Sequence, residues 1–279
     1  MEIETWTPGK ITCFEFCPVR FYLENSYEVK PRLSMREFFH IKIHHVLSLF
    51  WKNKFESPES FANYWRWYWP KAVEEEGGCD KFRNPERAKY MAGAYRKKGA
   101  EILKKFYENN IRKKEEERLI DRPMQKLDAC FMGFKIRAKI DEICRMEDGV
   151  HLIDYSMTKK DPGVVENYLK DDPVVVMNSM VFRSNYEGER ESKAGKNILR
   201  LGETVLAEIT EEDHERMAER IRKINEKVKA ESFEPRFDEA CGHCKYLDAH
   251  YTAIAEDRPY LSKYNPKEDQ CFIFQQASS

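Results

Sequence analysis

Residues 138–160, AKIDEICRMEDGVHLIDYSMTKK, decide how the rest of the chain is read. Two runs rich in apolar residues flank the turn signal Glu147-Asp148-Gly149, the pattern of a β-hairpin. The first run carries Asp141 and the second Asp154. Their apolar neighbours (Ile140, Ile143, Leu152 and Ile153) are expected to bury the strands and leave both carboxylates facing one cleft. Two carboxylates on neighbouring strands make a hard, oxygen-rich site suited to Mg²⁺ or Mn²⁺. Such a site positions a phosphodiester and activates water. Lys139 stands two residues before Asp141, so strand alternation puts both side chains on one face.

Three stretches further out hold cysteine or histidine residues. Residues 14–24, FEFCPVRFYLE, contain Cys17, one helical turn after Cys13. Residues 39–47, FHIKIHHVL, place His44 on a helix whose apolar stripe is Phe39, Ile43, Val46 and Phe50. Residues 233–250, FEPRFDEACGHCKYLDAH, hold Cys241-x-x-Cys244, a metal-ligand spacing, and His250. With Cys17, these two cysteines are expected to clip the ends of the chain together. Four thiolates, with Cys13 as the fourth, favour an iron–sulfur cluster. Three thiolates and His250 fit zinc at least as well. Cys79, Cys130, Cys144 and Cys271 have no ligand spacing and read as packing residues.

Taken in order, the four stretches resemble RecB-like members of the PD-(D/E)XK nucleases that carry an iron–sulfur cluster. They are similar in particular to the CRISPR-associated RecB-like exonucleases and to the nuclease domains of bacterial recombination helicase–nucleases. The resemblance implies that His44, Asp141, Asp154 and the backbone carbonyl of Tyr155 bind one divalent cation, Mg²⁺ or Mn²⁺. It implies that Cys17, Cys241 and Cys244, with His250 or Cys13, hold an iron–sulfur cluster, with zinc as the alternative. It implies a restriction-endonuclease-like α/β fold: a small mixed sheet flanked by helices, with a helical insertion at about 57–118 and the cysteine clip. The nuclease-like domain would cover residues 1–254, leaving 255–279 as an unassigned extension. The implied activity is DNA cleavage, on single strands or ends, in repair or CRISPR adaptation, with protein partners from such a complex.

The sequence also departs from that pattern. The motif lysine expected two residues after the second acid is Ser156. The position of a Gln-x-x-x-Tyr pair on a later helix is taken by Asn178 and Phe182. His250 stands where the last cluster cysteine would be. Losing a cation that offsets charge on the scissile phosphate costs about 2.7–4 kcal/mol, by analogy with one oxyanion donor. Lys139 is the first substitute, with Lys159 and Lys160 behind it. If none serves, the chain is a catalytically inactive DNA-binding or assembly subunit. A zinc-stabilised interaction module is the third reading.

Composition sets bounds on these readings. At 279 residues and 41% hydrophobic, the chain can bury a sizeable core. Charged residues are 35% with a net charge of −1, so any DNA contact must come from a local basic surface. No apolar run is long enough to span a bilayer and no signal peptide is evident, which gives a cytoplasmic protein by default. In that setting eight cysteines read as metal ligands or buried thiols rather than disulfides.

Local signals place the remaining elements. Ser34-x-x-Glu37 is a capping box opening the His44 helix. Within 57–118, the run YWRWYWP (64–70) ends on Pro70, which is expected to interrupt a helix. A second helix should run from Pro85 to about Arg118. Its basic residues (Arg96, Lys97, Lys98, Lys104, Lys105 and Arg112 to Lys114) are either a solvated face or a path for a DNA backbone. Strands are expected at about 119–129, 132–145 and 149–156. Pro173 suits the first position of a helix to about Tyr186. A hairpin over 196–209 turns near Gly202, and Thr210-x-x-Asp213 caps a last helix to about Glu231.

Overall fold

A computed structural model describes residues 1–26, 32–52, 55–116, 120 and 123–233. Cys241, Cys244, His250, Cys271 and the 255–279 extension lie outside the described residues. The chain divides into two compact units, residues 1–31 with 218–279, and residues 32–217. Among the described residues no helix is long and apolar enough to cross a membrane.

The first unit contains α1 (Pro8–Phe16), α2 (Pro18–Ser26) and the second half of α8 (Glu211–Lys229). Thr7 caps α1 by accepting a hydrogen bond from the Lys10 amide at 3.2 Å. Cys17 ends α1 in extended backbone, so the cysteine pair spans a break between two helices instead of sitting within one. Trp6, Ile11, Phe14, Val19, Phe21 and Leu23 are buried here, with Trp6 stacked on Phe21. Arg220 forms an ion pair with Glu15.

The second unit holds a four-stranded mixed sheet and a separate hairpin. The hairpin is β1 (Gln125–Phe131) with β2 (Phe134–Ile140). The sheet runs β3 (Glu142–Met146), β4 (Gly149–Ser156), β5 (Glu191–Ile198) and β6 (Glu203–Ala207), in that order. β3–β4 and β5–β6 are antiparallel, while β4–β5 is parallel. The parallel step requires a crossover. It is supplied by α6 (Pro162–Glu166) and α7 (Pro173–Asn185), and α7 packs against β1, β2, β4 and β5. Gly149 closes the β3–β4 turn at φ +130°, a region where an added Cβ is strained.

The strand expected over 132–145 is broken at Asp141. β2 belongs to the hairpin and β3 to the sheet, and the chain changes partners at this one residue. Hydrophobic patterning cannot show that break, because Ile140, Asp141, Glu142 and Ile143 are all buried.

Three helices cover the sheet region. α3 (Met35–Lys52) starts at the Ser34–Glu37 capping box, with the Ser34 amide donating to Glu37 at 2.8 Å. Its stripe Phe39, Ile43, Val46 and Phe50 is fully buried. α4 (Pro58–Glu75) and α5 (Pro85–Glu115) pack on it in one aromatic core. α4 runs on through Pro70 instead of stopping there. Proline removes one helical donor and leaves the carbonyl four residues earlier unpaired. That carbonyl belongs to Arg66, and it accepts a hydrogen bond from Arg96 Nε of α5 at 3.0 Å. Trp65 and Trp69 are buried, and their indoles donate to the carbonyls of Tyr95 and Ala92. Gly99 makes this possible: a Cβ there would lie 2.2 Å from the Trp65 ring nitrogen. The YWRWYW run is therefore mainly core, with Trp67 its exposed member at 55%.

α8 follows the expected Thr210 cap, where the Thr210 amide donates to Asp213 at 2.8 Å. The basic residues of α5 do not form one continuous strip. Lys104 pairs with Glu59, Arg112 with Glu116 and Lys113 with Glu142, and Lys114 donates to the Phe50 carbonyl.

Candidate active site

Asp141 sits at the bend between β2 and β3, almost without solvent exposure. Its Oδ2 accepts a hydrogen bond from the Tyr155 amide at 2.8 Å. The same oxygen lies 3.4 Å from His44 Nδ1. Lys139 Nζ is 3.0 Å from Oδ1, close enough for an ion pair but outside hydrogen-bonding geometry. Burial, the largest influence on this group, opposes its charge. His44, Lys139 and the Tyr155 amide together outweigh burial and hold the carboxyl below its ordinary value.

Asp154 lies near the end of β4, beside the acid it was expected to join. It keeps some surface open to solvent, yet it is surrounded by protein densely enough that burial dominates its ionisation. Burial and then the Asp141 charge push its pKa to about 7, against the pull of Lys196 and His44. Two neighbouring carboxylates thus titrate in opposite directions, the behaviour of like charges sharing one site.

Buried atoms in this cleft lack partners. His44 Nδ1 and Asp141 Oδ1 have no hydrogen-bond partner among the described residues. Leaving such groups unpaired costs about 1–3 kcal/mol each. A cation bound between His44, Asp141 and Asp154 would satisfy both atoms and lower the Asp154 pKa. The donor set, one imidazole and two carboxylates, suits Mg²⁺ or Mn²⁺. Among the described residues, however, no three His, Cys, Asp or Glu side chains stand close enough together to share one metal ion. His44 and Asp141 meet, while Asp154 acts on them through its charge.

The backbone places other sequence-expected residues nearby. Tyr155 is buried, its amide on Asp141 and its hydroxyl donating to Glu142 at 3.1 Å while accepting from Trp51. Ser156 follows on β4, and its hydroxyl accepts from the Thr158 amide. Lys160 lies over the Tyr168 ring, and Lys159 faces Lys98, so neither is among the principal charges on Asp154. Asn178 and Phe182 are buried on α7, where Phe182 stacks on Tyr186. In the first unit, Cys13 Sγ lies 3.4 Å from Glu24 Oε2, and the Cys17 amide donates to the Cys13 carbonyl.

Two charged residues of this region escape the sequence reading. Lys196 pairs with Asp154 in the parallel β4–β5 register, and its Nζ lies 2.5 Å from Asp172 Oδ2. Burial works against its charge, but Asp172 and Asp154 outweigh it and raise its pKa. Glu142 follows Asp141 directly, fully buried, paired to Lys113 at 2.9 Å. The visible signals were a lysine inside the otherwise small and apolar run 194–198, and two consecutive acids opening β3. The parallel pairing that brings Lys196 to Asp154 has no local signature.

A model of one family, the PD-(D/E)XK nuclease superfamily, matches residues 5–249. No curated protein matches the chain significantly. Among solved structures, a crystal structure from Eubacterium rectale described as a "Putative exonuclease" is similar over 88% of this chain and 88% of its own, with 10% identity and a TM-score of 0.48.

Proposed function

This chain belongs to the PD-(D/E)XK nuclease superfamily, and we propose that it is a divalent-metal-dependent deoxyribonuclease, an exonuclease acting on single strands or ends. The observation that carries this reading is the acid pair. Asp141 is held charged, while Asp154, beside it, is pushed to about 7. Members of this superfamily generally use divalent metals. His44, Asp141, Asp154 and the Tyr155 carbonyl are the residues that would hold one here. When bound, the ion would stabilise charge on the scissile phosphate and lower the pKa of water. The chain's own residues do the rest. The Tyr155 amide fixes the Asp141 carboxylate, 3.4 Å from His44 Nδ1. Lys139, ion-paired with Asp141 and partly exposed, is the cation nearest to take the place of the missing motif lysine.

We extend the reading to the rest of the notional domain, residues 1–254, with a clip of Cys17, Cys241, Cys244 and His250 or Cys13. An iron–sulfur cluster or zinc would sit there, and the biological setting would be repair or CRISPR adaptation with protein partners. Visible absorption and metal content of anaerobically purified protein decide between cluster and zinc.

A second reading, a nuclease scaffold retained for binding or assembly, is favoured by one observation. The cations near the acids are engaged in ion pairs, Lys139 with Asp141 and Lys196 with Asp172. The test is cleavage of linear single- and double-stranded DNA with Mg²⁺ or Mn²⁺. Wild type should cut, Asp154→Ala should be inactive, and Lys139→Ala should lower turnover more than binding. An inert wild type that gains cleavage on Ser156→Lys would establish the second reading instead.

A further inference from the structure

Beyond the acid cleft, a group of cations in the second unit forms no ion pair, although Glu101 and Glu37 act on two of its members. Arg36, His40 and His44 lie at successive turns on one face of α3, so Arg36 is about 12 Å along the helix from His44. Lys98 comes from α5, and Arg200 from the turn between β5 and β6. Lys159 is in the segment that leaves β4. None of Arg36, Lys98, Lys159 and Arg200 forms an ion pair among the described residues. Burial is the first influence against the charge of Lys98, Arg200 and His40; Arg200 and Lys159 add to it at Lys98, Arg36 at Arg200, and Arg36, His44 and Arg200 at His40, while Glu101, Tyr95 and Glu37 pull the other way at Lys98, Arg200 and His40. Arg200 Nε and His40 Nε2 are buried with no hydrogen-bond partner.

The fold holds this repulsive arrangement in place by backbone bonds. The Leu199 amide donates to the Ser156 carbonyl at 3.0 Å, which ties the Arg200 turn to the end of β4. Lys105 Nζ donates to the Arg200 carbonyl, and Asn109 donates to the Gly202 carbonyl at 2.6 Å. The Leu201 and Gly202 amides both return to the Ile198 carbonyl. Arg200 therefore stands on a braced turn, one residue after the Leu199 amide that bonds Ser156, the position where the family motif has its lysine. Arg36 and Lys159 are exposed, but Lys98 and Arg200 are partly buried with no ion pair, which is costly unless an anion joins them. A guanidinium with free donors suits a tetrahedral oxyanion.

We propose that Arg36, Lys98, Lys159 and Arg200, beside His40, form a phosphate-binding site that holds the DNA strand beside the acid cleft. This assignment rests on the nuclease reading above. It gives the enzyme a grip on the strand that the motif lysine does not supply. The phosphate is either a terminal phosphomonoester or an internal phosphodiester, and the two are separable by experiment.

The test is equilibrium binding of the full chain to an internally labelled single-stranded oligonucleotide in EDTA, over a range of salt. Oligonucleotides with hydroxyl ends, a 5′-phosphate or a 3′-phosphate form separate arms. The double variant Arg200→Gln with Lys98→Gln should bind about tenfold more weakly, and its salt slope should fall by about one to two. Its melting temperature should stay the same or rise, because mutual repulsion is relieved. A requirement for one end phosphate, lost in the variant, identifies the terminal monoester; indifference to the ends identifies the backbone diester. Unchanged affinity and slope in the variant, or a lowered melting temperature, overturns the site. A wild type that neither binds nor cleaves DNA overturns the nuclease reading itself, a result the variant comparison cannot produce.

Discussion

The aromatic helical block and the acid cleft lie in the same unit and differ in how their central polar atoms are met, although Asn110 Oδ1 on α5 also lacks a hydrogen-bond partner. In the block, both buried tryptophan indoles find carbonyl partners, and even the carbonyl orphaned by Pro70 is recovered by Arg96. Phe39 stacks on Tyr95 at 4.3 Å, and Trp65 fills the space that Gly99 leaves. In the cleft, His44 Nδ1 and Asp141 Oδ1 have no hydrogen-bond partner, and a carboxylate is pushed to about 7. The first pattern maximises stability. The second gives up stability at a place where a ligand would restore it, the usual mark of a functional site.

The largest effect that could break this contrast lies in the block. Trp65→Ala should lower the free energy of unfolding by about 3–5 kcal/mol, read from urea denaturation. A loss below about 1 kcal/mol would mean that the block is not the stabilising region.

The next effect is acid-dependent. His40 titrates at about 4 in the folded protein, against an ordinary value of 6.5, chiefly through burial and then the charges of Arg36, His44 and Arg200. The unfolded chain therefore takes up this proton first as pH falls. The stability involved is complete above pH 6.5 and is lost as pH drops towards about 4, on the order of 2–3 kcal/mol. His40→Gln should flatten that part of the stability–pH curve. An unchanged curve would remove the cationic cluster from the account.

The smallest effect has the opposite sign. Asp154→Asn, measured without metal near pH 8, should raise stability by about 1–2 kcal/mol, because it removes a buried charge beside Asp141. A destabilised variant would place Asp154 with the well-satisfied groups of the block and end the comparison.

The sequence exposed the elements that rest on local rules. The capping boxes at Ser34 and Thr210, Pro173 opening α7 and the hairpin turns at Gly149 and Gly202 all stand where their residues put them. The two acids could be singled out because strand periodicity is local, and His44 through the motif resemblance. What depended on long-range pairing was not legible. The switch of sheets at Asp141 lies within a uniformly buried run, so no pattern marks it. The arrival of Lys196 beside Asp154 requires the parallel register of β4 and β5, set by a crossover of more than thirty residues. The continuation of α4 through Pro70 depends on Arg96, a residue of another helix. The cationic cluster assembles from α3, α5 and two connecting segments, and no single stretch announces it.

The central claim is that the cleft's unsatisfied groups are there for a divalent cation, and thermal unfolding tests it most directly. Wild type and Asp154→Asn are melted in EDTA and in millimolar Mn²⁺. A ligand that binds only the folded state stabilises it, and a few kcal/mol corresponds to a shift of about 5 °C or more for a unit of this size. Wild type should gain such a shift with Mn²⁺, while Asp154→Asn should start higher and stay where it is. Equal shifts in both proteins, or none in wild type, would contradict the claim.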